Sequence, residues 1–166
     1  MQPTDACELL REVAAVVRPQ FERAGVDLRI HTAPAPEHFL ADRPLLQQAL
    51  VNLTLNALEA IQGAPARNAR GVVTLACEAR DSQAFIRVED NGPGISPENR
   101  AKIFQLFFTT RPGGSGIGLA TAFRIVQLHN GFMDFASQPG QGTQFWMAFP
   151  LADAGSEKVS NRAVDG

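Results

Sequence analysis

The 166-residue sequence predicts one α+β domain, and three observations carry that reading. Two segments in the first 61 residues repeat apolar side chains at helical spacing. Later segments alternate or concentrate β-branched and aromatic residues, as strands do. Nine of the 14 glycines fall between Gly92 and Gly142, which marks turns, caps or close backbone approach.

The elements follow in order. Asp5-Ala6-Cys7-Glu8 has the form of a helix-starting capping box. Leu9, Leu10, Val13, Val16 and Val17 continue at helical spacing, and Pro19 predicts a kink or an end. Val26 to Ile30 alternates as a half-buried strand, and a second short strand is expected at Phe39-Leu40 after a Pro-rich loop. Asp42 reads as the N-cap of a helix over 43–61, with Leu46, Leu50, Leu53, Ala57 and Ile61 as its apolar stripe. Val72 to Ala79 and Ala84 to Asp90 form an expected hairpin. Ile86, Val88 and Asp90 share parity, so a carboxylate points the way core residues point. Ser96-Pro97 predicts a short helix to about Phe104, and another helix begins near Gly116 and stops at Asn130-Gly131. Met133 to Ala136 and Thr143 to Phe149 form a last strand pair. The domain is expected to span residues 1–151, with 152–166 as a flexible tail.

Composition narrows the function classes. Fifteen basic residues against 17 acidic ones give a net charge of −2, so no nucleic-acid-binding stripe or polybasic membrane patch is expected. No apolar run reaches the ~18 residues of a membrane span. Cys7 and Cys77 lie far apart without a CxxC partner, which argues against a zinc site or disulfide framework and fits a reducing cytoplasm.

Four stretches carry chemistry. Asn52, Asn56 and Glu59 are spaced to share one helical face, where side-chain oxygens can take a hydrated cation. Alone, that pattern is better read as a solvated polar face. Asp90-Asn91-Gly92-Pro93-Gly94-Ile95 sets a carboxylate at a strand end. It can accept a hydrogen bond from an adenine amino group, worth about 1.5–3 kcal/mol, and reject the acceptor that guanine presents there. Gly113-Gly114-Ser115-Gly116-Ile117-Gly118-Leu119 opens a helix, a place for phosphate oxygens. It fits neither the Walker A pattern nor a dinucleotide fingerprint. Ile103 to Arg111 pairs aromatics with Thr109, Thr110 and Arg111, which can border a loop and reach a phosphate.

The order of these stretches is more specific than any one of them. NLTLNALEA, DNGPGI, IFQLFFTTR, GGSGIGLA and GQGTQF closely resemble the N, G1, F, G2 and G3 boxes of sensor histidine kinase catalytic domains. These domains belong with the gyrase-type, chaperone-type and mismatch-repair ATPases of the Bergerat fold, and FFTT and NALEA look most like the nitrogen-regulation type. The resemblance covers about residues 5–150. It implies a two-layer α/β sandwich with a mixed, mostly antiparallel sheet and helices on one face.

The resemblance also implies ATP and Mg²⁺ as ligands. Asn56 would bind the metal and Asn52 support the phosphates or the metal, both with a catalytic role. Asp90 would accept from adenine, with Gly92, Gly94 and Ile95 beside the base and Thr143 holding a water near Asp90. Phe107, Thr109, Thr110 and Arg111 would border the lid, with Arg111 or Lys102 supplying positive charge in catalysis. Gly114, Ser115, Gly116, Gly118 and Leu119 would line the phosphates.

Departures from the pattern matter too. Glu59 and Ala60 stand where many of these kinases have a basic or aromatic residue. Asn52 stands where the hydrolytic relatives place a Glu base, which favours phosphoryl transfer over hydrolysis. None of the three histidines sits in a phosphoacceptor motif. The expected partners are therefore the dimerisation and phosphoacceptor helices of a parent kinase and a cognate response regulator. The domain itself would be cytoplasmic and monomeric, without direct membrane contact. A serine kinase of the anti-sigma-factor type and a nucleotide-sensing or docking module share these boxes.

Overall fold

The computed structural model describes residues 1–32, 38–65, 69–105 and 118–152. The elements are β1 (Gln2–Asp5), α1 (Ala6–Ala24), β2 (Asp27–Thr32), β3 (His38–Ala41), α2 (Arg43–Gln62), β4 (Val72–Arg80), β5 (Gln83–Asp90), α3 (Gly118–Leu128), β6 (Phe132–Gln138) and β7 (Gly142–Pro150). Five strands form one sheet in the order β2-β4-β5-β7-β6. Only β2–β4 is parallel; the other pairs are antiparallel. β1 and β3 pair separately as a two-stranded antiparallel sheet.

The helices form because each presents an apolar stripe and has a cap. The Asp5 carboxylate accepts from Cys7 N at 2.8 Å and starts α1; Gly25, at φ 67°, ends it. Leu9, Leu10, Val13, Val17 and Phe21 are its buried face. Asp42 caps α2, whose Leu46, Leu50, Leu53 and Ala57 are buried as the spacing predicts. These stripes cover the alternate strand residues Val73, Leu75, Ile86, Val88, Phe145 and Met147, and one core results. Burial of such side chains is the main stabilising term, roughly 1.5–3 kcal/mol each.

Three cross-links fix the helices to one another and to the sheet. Arg43 Nε donates to Glu12 Oε2 at 3.2 Å, its Nη2 donates to Glu12 Oε1, and Glu8 lies 3.3 Å away, so α1 is tied to α2. The Glu12 hydrogen bond, helped by the charges of Glu12 and Glu8 against partial desolvation, holds the guanidinium above its ordinary pKa. His129 is buried and engaged at both ring nitrogens. Nδ1 lies 2.7 Å from Ile125 O, so it donates, while Nε2 accepts from Asp42 N at 3.0 Å. The ring is thus a neutral tautomer that pins the start of α2 to the end of α3. Cys7 and Cys77, although 70 residues apart, meet in the core with their sulfurs 3.0 Å apart, both as thiols.

Two sequence expectations need correction, and the strand β1 is unexpected. The strand β1 carries no alternation long enough to announce it. α1 runs through Pro19 to Ala24, because Pro19 is exposed and burial of Phe21 holds the next turn in place. Ser96 to Gln105 is not a helix but a series of turns, closed by Asn99 N to Ser96 O, Lys102 N to Asn99 O and Gln105 N to Lys102 O. Anchoring of Ile103 and Phe104 in the core directs this segment and overrides helix propensity. The stop of α3 falls at Asn130-Gly131, as the sequence predicts. Asn130 takes φ 54°, with its N–H on Gln127 O and the Gly131 N–H on Val126 O. Gly131 is needed for space, since a Cβ there would lie 2.6 Å from the Phe149 ring.

The β4–β5 hairpin turns on Asp81 and Ser82, both at positive φ (52° and 62°), the two-residue loop that matches strand twist. Two expectations follow for stability. Replacing Pro19 by Ala restores a helical N–H and the better helix former, so it should stabilise the fold by about 1–3 kcal/mol, read from urea unfolding. Gly140 and Gly142 both have positive φ, 79° and 90°. A Cβ at Gly140 meets nothing within 4 Å, whereas one at Gly142 would lie 2.0 Å from Asp90 O. Gly140→Ala should cost about 1–2 kcal/mol for the backbone alone. Gly142→Ala should add about 1–3 kcal/mol for the collision. Equal melting temperatures for the two variants would overturn that comparison.

Candidate functional site

The helix-facing side of the sheet is apolar until its last row. Strand register places Leu75, Val88, Phe145 and Phe135 in one transverse row, and Cys77, Ile86, Met147 and Met133 in another. The next row reads Val73, Asp90, Thr143 and Ser137. Asp90, Thr143 and Ser137 are 7 %, 7 % and 6 % exposed, so three polar side chains close the end of an apolar face. A buried carboxylate of this kind needs donors. One is local: Gly92 N donates to Asp90 Oδ1 at 2.8 Å.

The loop after β5 is held from two sides. Asn91 Oδ1 accepts from Val72 N at 2.8 Å and Asn91 Nδ2 donates to Arg70 O at 2.9 Å, which fastens the loop to the start of β4. On the other side Gly140 N donates to Pro93 O at 2.7 Å, and Ile95 N donates to Ser137 Oγ at 2.7 Å. Gly94 has φ 78°, and a Cβ there would lie 2.3 Å from Gln138 O. Only glycine lets the backbone pass. Ile95 is half-buried against the core.

Helix α2 brings the other boxes to this row. A Cβ at Gly92 would lie 3.6 Å from Ile61 and 3.7 Å from Ala60, so the loop abuts the end of α2. One turn earlier stands Asn56, and one turn before that Asn52, both half-buried. A Cβ at Gly118, the first residue of α3, would be 3.9 Å from Asn52 Cβ. The N-terminus of α3, with its positive dipole end, therefore lies beside Asn52. Leu119 packs against the core one residue further on. Glu59 is exposed and lines a 340 Å³ groove with Gln20, Arg23, Leu55, Leu58 and Gln62, between α1 and α2. It stands apart from the half-buried Asn pair, although spacing alone groups the three.

Phe104 fixes the segment before residue 106. Its ring stacks on Phe123 at 4.9 Å and meets Phe135 and Phe145 edge-on at 5.8 and 6.2 Å. Phe104 is thus packed against the core. Phe107, Thr109, Thr110, Arg111, Gly114, Ser115 and Gly116 lie outside the described residues. Sequence reasoning missed Asn91 and Ser137. Asn91 follows Asp90 in a motif in which every other polar role goes to the Asp. Ser137 was legible only through its parity with Met133 and Phe135, which no motif highlights.

A buried acceptor, two amide-bearing side chains on one helix and a helix N-terminus thus border one another. That set can read a base and hold an anion at opposite ends.

Comparisons with known proteins agree with this fold. Residues 41–153 match the family described as histidine kinase-, DNA gyrase B- and HSP90-like ATPases. The signal transduction histidine-protein kinase AtoS of Escherichia coli K12 is 38 % identical over 143 residues, 83 % of this chain. The sensor histidine kinase ZraS of Klebsiella oxytoca is 33 % identical over 151 residues, 90 % of this chain. The chain spans 22 % of AtoS and 31 % of ZraS. The solved catalytic domain of histidine kinase ThkA superposes with a TM-score of 0.77 at 29 % identity, over 90 % of this chain and 94 % of that one. Full-length ShkA in complex with AMPPNP gives 0.79 at 33 % identity, over 91 % of this chain and 31 % of that one. No helix among the described residues is long and apolar enough to cross a membrane. The chain belongs to the histidine kinase-, DNA gyrase B- and HSP90-like ATPase family and has the fold of a sensor histidine kinase catalytic domain.

Proposed function

We propose that residues 1–151 bind ATP with Mg²⁺ and supply its γ-phosphoryl group to a histidine on a separate dimerisation domain of a parent kinase. The observation that carries this reading is the convergence of the Asp90 row, the Asn52–Asn56 face and the start of α3 around one stretch of α2. A buried carboxylate at the end of β5 selects a base with an amino group and disfavours one with a carbonyl there. The Asn56 side-chain oxygen suits a hard cation that keeps most of its ligands from water and phosphates. When bound, Mg²⁺ would neutralise phosphate charge during transfer.

The chain's own residues act by position. Asp90 orients the base, Asn52 and the N-terminus of α3 take phosphate oxygens, and Gly92 and Gly94 let backbone stand close to the ring. Phe107, Thr109, Thr110, Arg111, Gly114, Ser115 and Gly116 complete the phosphate end, with Arg111 as the cation that offsets charge on the transferred group. Asn52 in place of a carboxylate leaves no general base one turn before Asn56, which suits transfer to a histidine over attack by water. A cytoplasmic location follows from ATP as substrate. ThkA has been solved with its response regulator TrrA, and a response regulator is the downstream partner proposed here. The FFTT and NALEA wording supports the nitrogen-regulation subgroup.

Three outcomes test this. Asp90→Asn should weaken ATP binding about 10- to 100-fold by calorimetry, the equivalent of one charged hydrogen bond. Unchanged affinity would remove the adenine assignment. Asn56→Ala should erase the Mg²⁺-dependent part of ATP affinity; a titration identical to that of the parent sequence would refute the metal role. With radiolabelled ATP and the helix hairpin of the parent kinase added in trans, the label should appear as acid-labile phosphohistidine. Acid-stable phosphoserine on a protein partner would instead establish the anti-sigma-type reading.

A further inference from the structure

Ser137 stands at the edge of the proposed base-binding row without belonging to any of its motifs. It is 6 % exposed on β6, and its Oγ has three neighbours. These are Ile95 N at 2.7 Å, Gly142 O at 3.1 Å and Thr143 Oγ1 at 2.9 Å. A hydroxyl has one proton and two acceptor sites. Ile95 N–H can only donate and Gly142 C=O can only accept. Ser137 therefore gives its proton to Gly142 O and accepts from Ile95. Its second acceptor site faces Thr143, whose hydroxyl must then donate to Ser137. All three capacities are used, and the direction of the Thr143 hydroxyl is set.

That direction has a consequence across the row. Thr143 pairs directly with Asp90 in the β5–β7 register, on the same face of the sheet. With its proton committed to Ser137, Thr143 offers only lone pairs toward the site. Asp90, as a carboxylate, also offers only acceptors. The wall of the site thereby carries a single polarity. The same Ser137 oxygen holds Ile95, two residues after the loop bond from Gly140 N to Pro93 O. It is the side-chain member of a contact that is otherwise backbone.

We propose that Ser137 is a positioning and specificity-determining residue: it keeps Thr143 an acceptor toward the base, so that the site favours a 6-amino purine over a 6-oxo purine. The inference deepens the ATP-binding reading and rests on it. Removing the hydroxyl as Ser137→Ala frees the Thr143 proton to turn toward the site, where it can serve a carbonyl on the base.

The probes are ATP and ITP, which differ at that one ring substituent, with affinities measured by calorimetry on the folded chain. The parent sequence should prefer ATP. Ser137→Ala should shrink the ATP-to-ITP ratio about five- to tenfold, chiefly by weaker ATP binding. Ser137→Thr, which keeps a hydroxyl at the same position, should restore the ratio. In a Thr143→Val background, Ser137→Ala should leave the ratio unchanged, because no proton remains to redirect. A merely structural serine would lower the affinities for both nucleotides in parallel, and that result overturns the proposal. A Ser137→Ala ratio equal to that of the parent overturns it as well. Should Ser137→Ala fail to fold, the comparison of Ser137→Thr with Ser137→Cys decides, since the thiol is a poor acceptor; equal ratios there overturn the proposal. Absence of ATP binding by the parent sequence is a different result, because it removes the ATP reading itself.

Discussion

The structure turns on one carboxylate placed where the sheet would otherwise be apolar. Asp90 continues the inward parity of Ile86 and Val88, and its burial obliges nearby chain to provide hydrogen bonds. Gly92 supplies one by folding back on the strand end. That turn brings Pro93 and Gly94 against the β6–β7 hairpin, where Gly140 and Ser137 take hold of it. Gly142 has to be glycine because the Asp90 carbonyl fills the space a Cβ needs. A single buried charge thus accounts for the glycines, the loop path and the polar row across three strands.

Much of the fold was legible in the sequence because its signals are local. Helical spacing and caps placed α1 and α2, and the turn-forming residues placed the hairpins. What escaped was set by contacts distant in sequence. Pro19 stays inside α1 because Phe21 is buried beyond it. The segment from Ser96 follows turns because Ile103 and Phe104 are anchored in the core. β1 exists only through its pairing with β3. Cys7 and Cys77 meet although nothing in their spacing suggests it.

The site was legible to the same degree and for the same reason. Parity alone pointed Asp90 inward, and helical spacing alone grouped Asn52 with Asn56. Spacing was misleading for Glu59, because one helical face can still divide between a half-buried edge and a solvent-exposed groove. Asn91 lacked any local signal, and Ser137 had only its parity with Met133 and Phe135. Their partners, Val72, Arg70, Ile95 and Gly142, are remote in sequence or belong to a turn whose geometry only the folded chain defines.

The histidine bond between α2 and α3 has a mechanical meaning. Asp42 at the start of α2 is held by His129 at the end of α3, while Asn52 lies against Gly118 at the start of α3. The two helices are thus antiparallel, bonded at one end and in contact at the other end of a shared span of about 15 Å. They form a braced beam. A push delivered at Gly118 cannot tilt α3 alone; it loads α2, and with it the row of amides beside the strand ends. Force applied at the phosphate end would therefore reach the base end through a stiff lever of two helices.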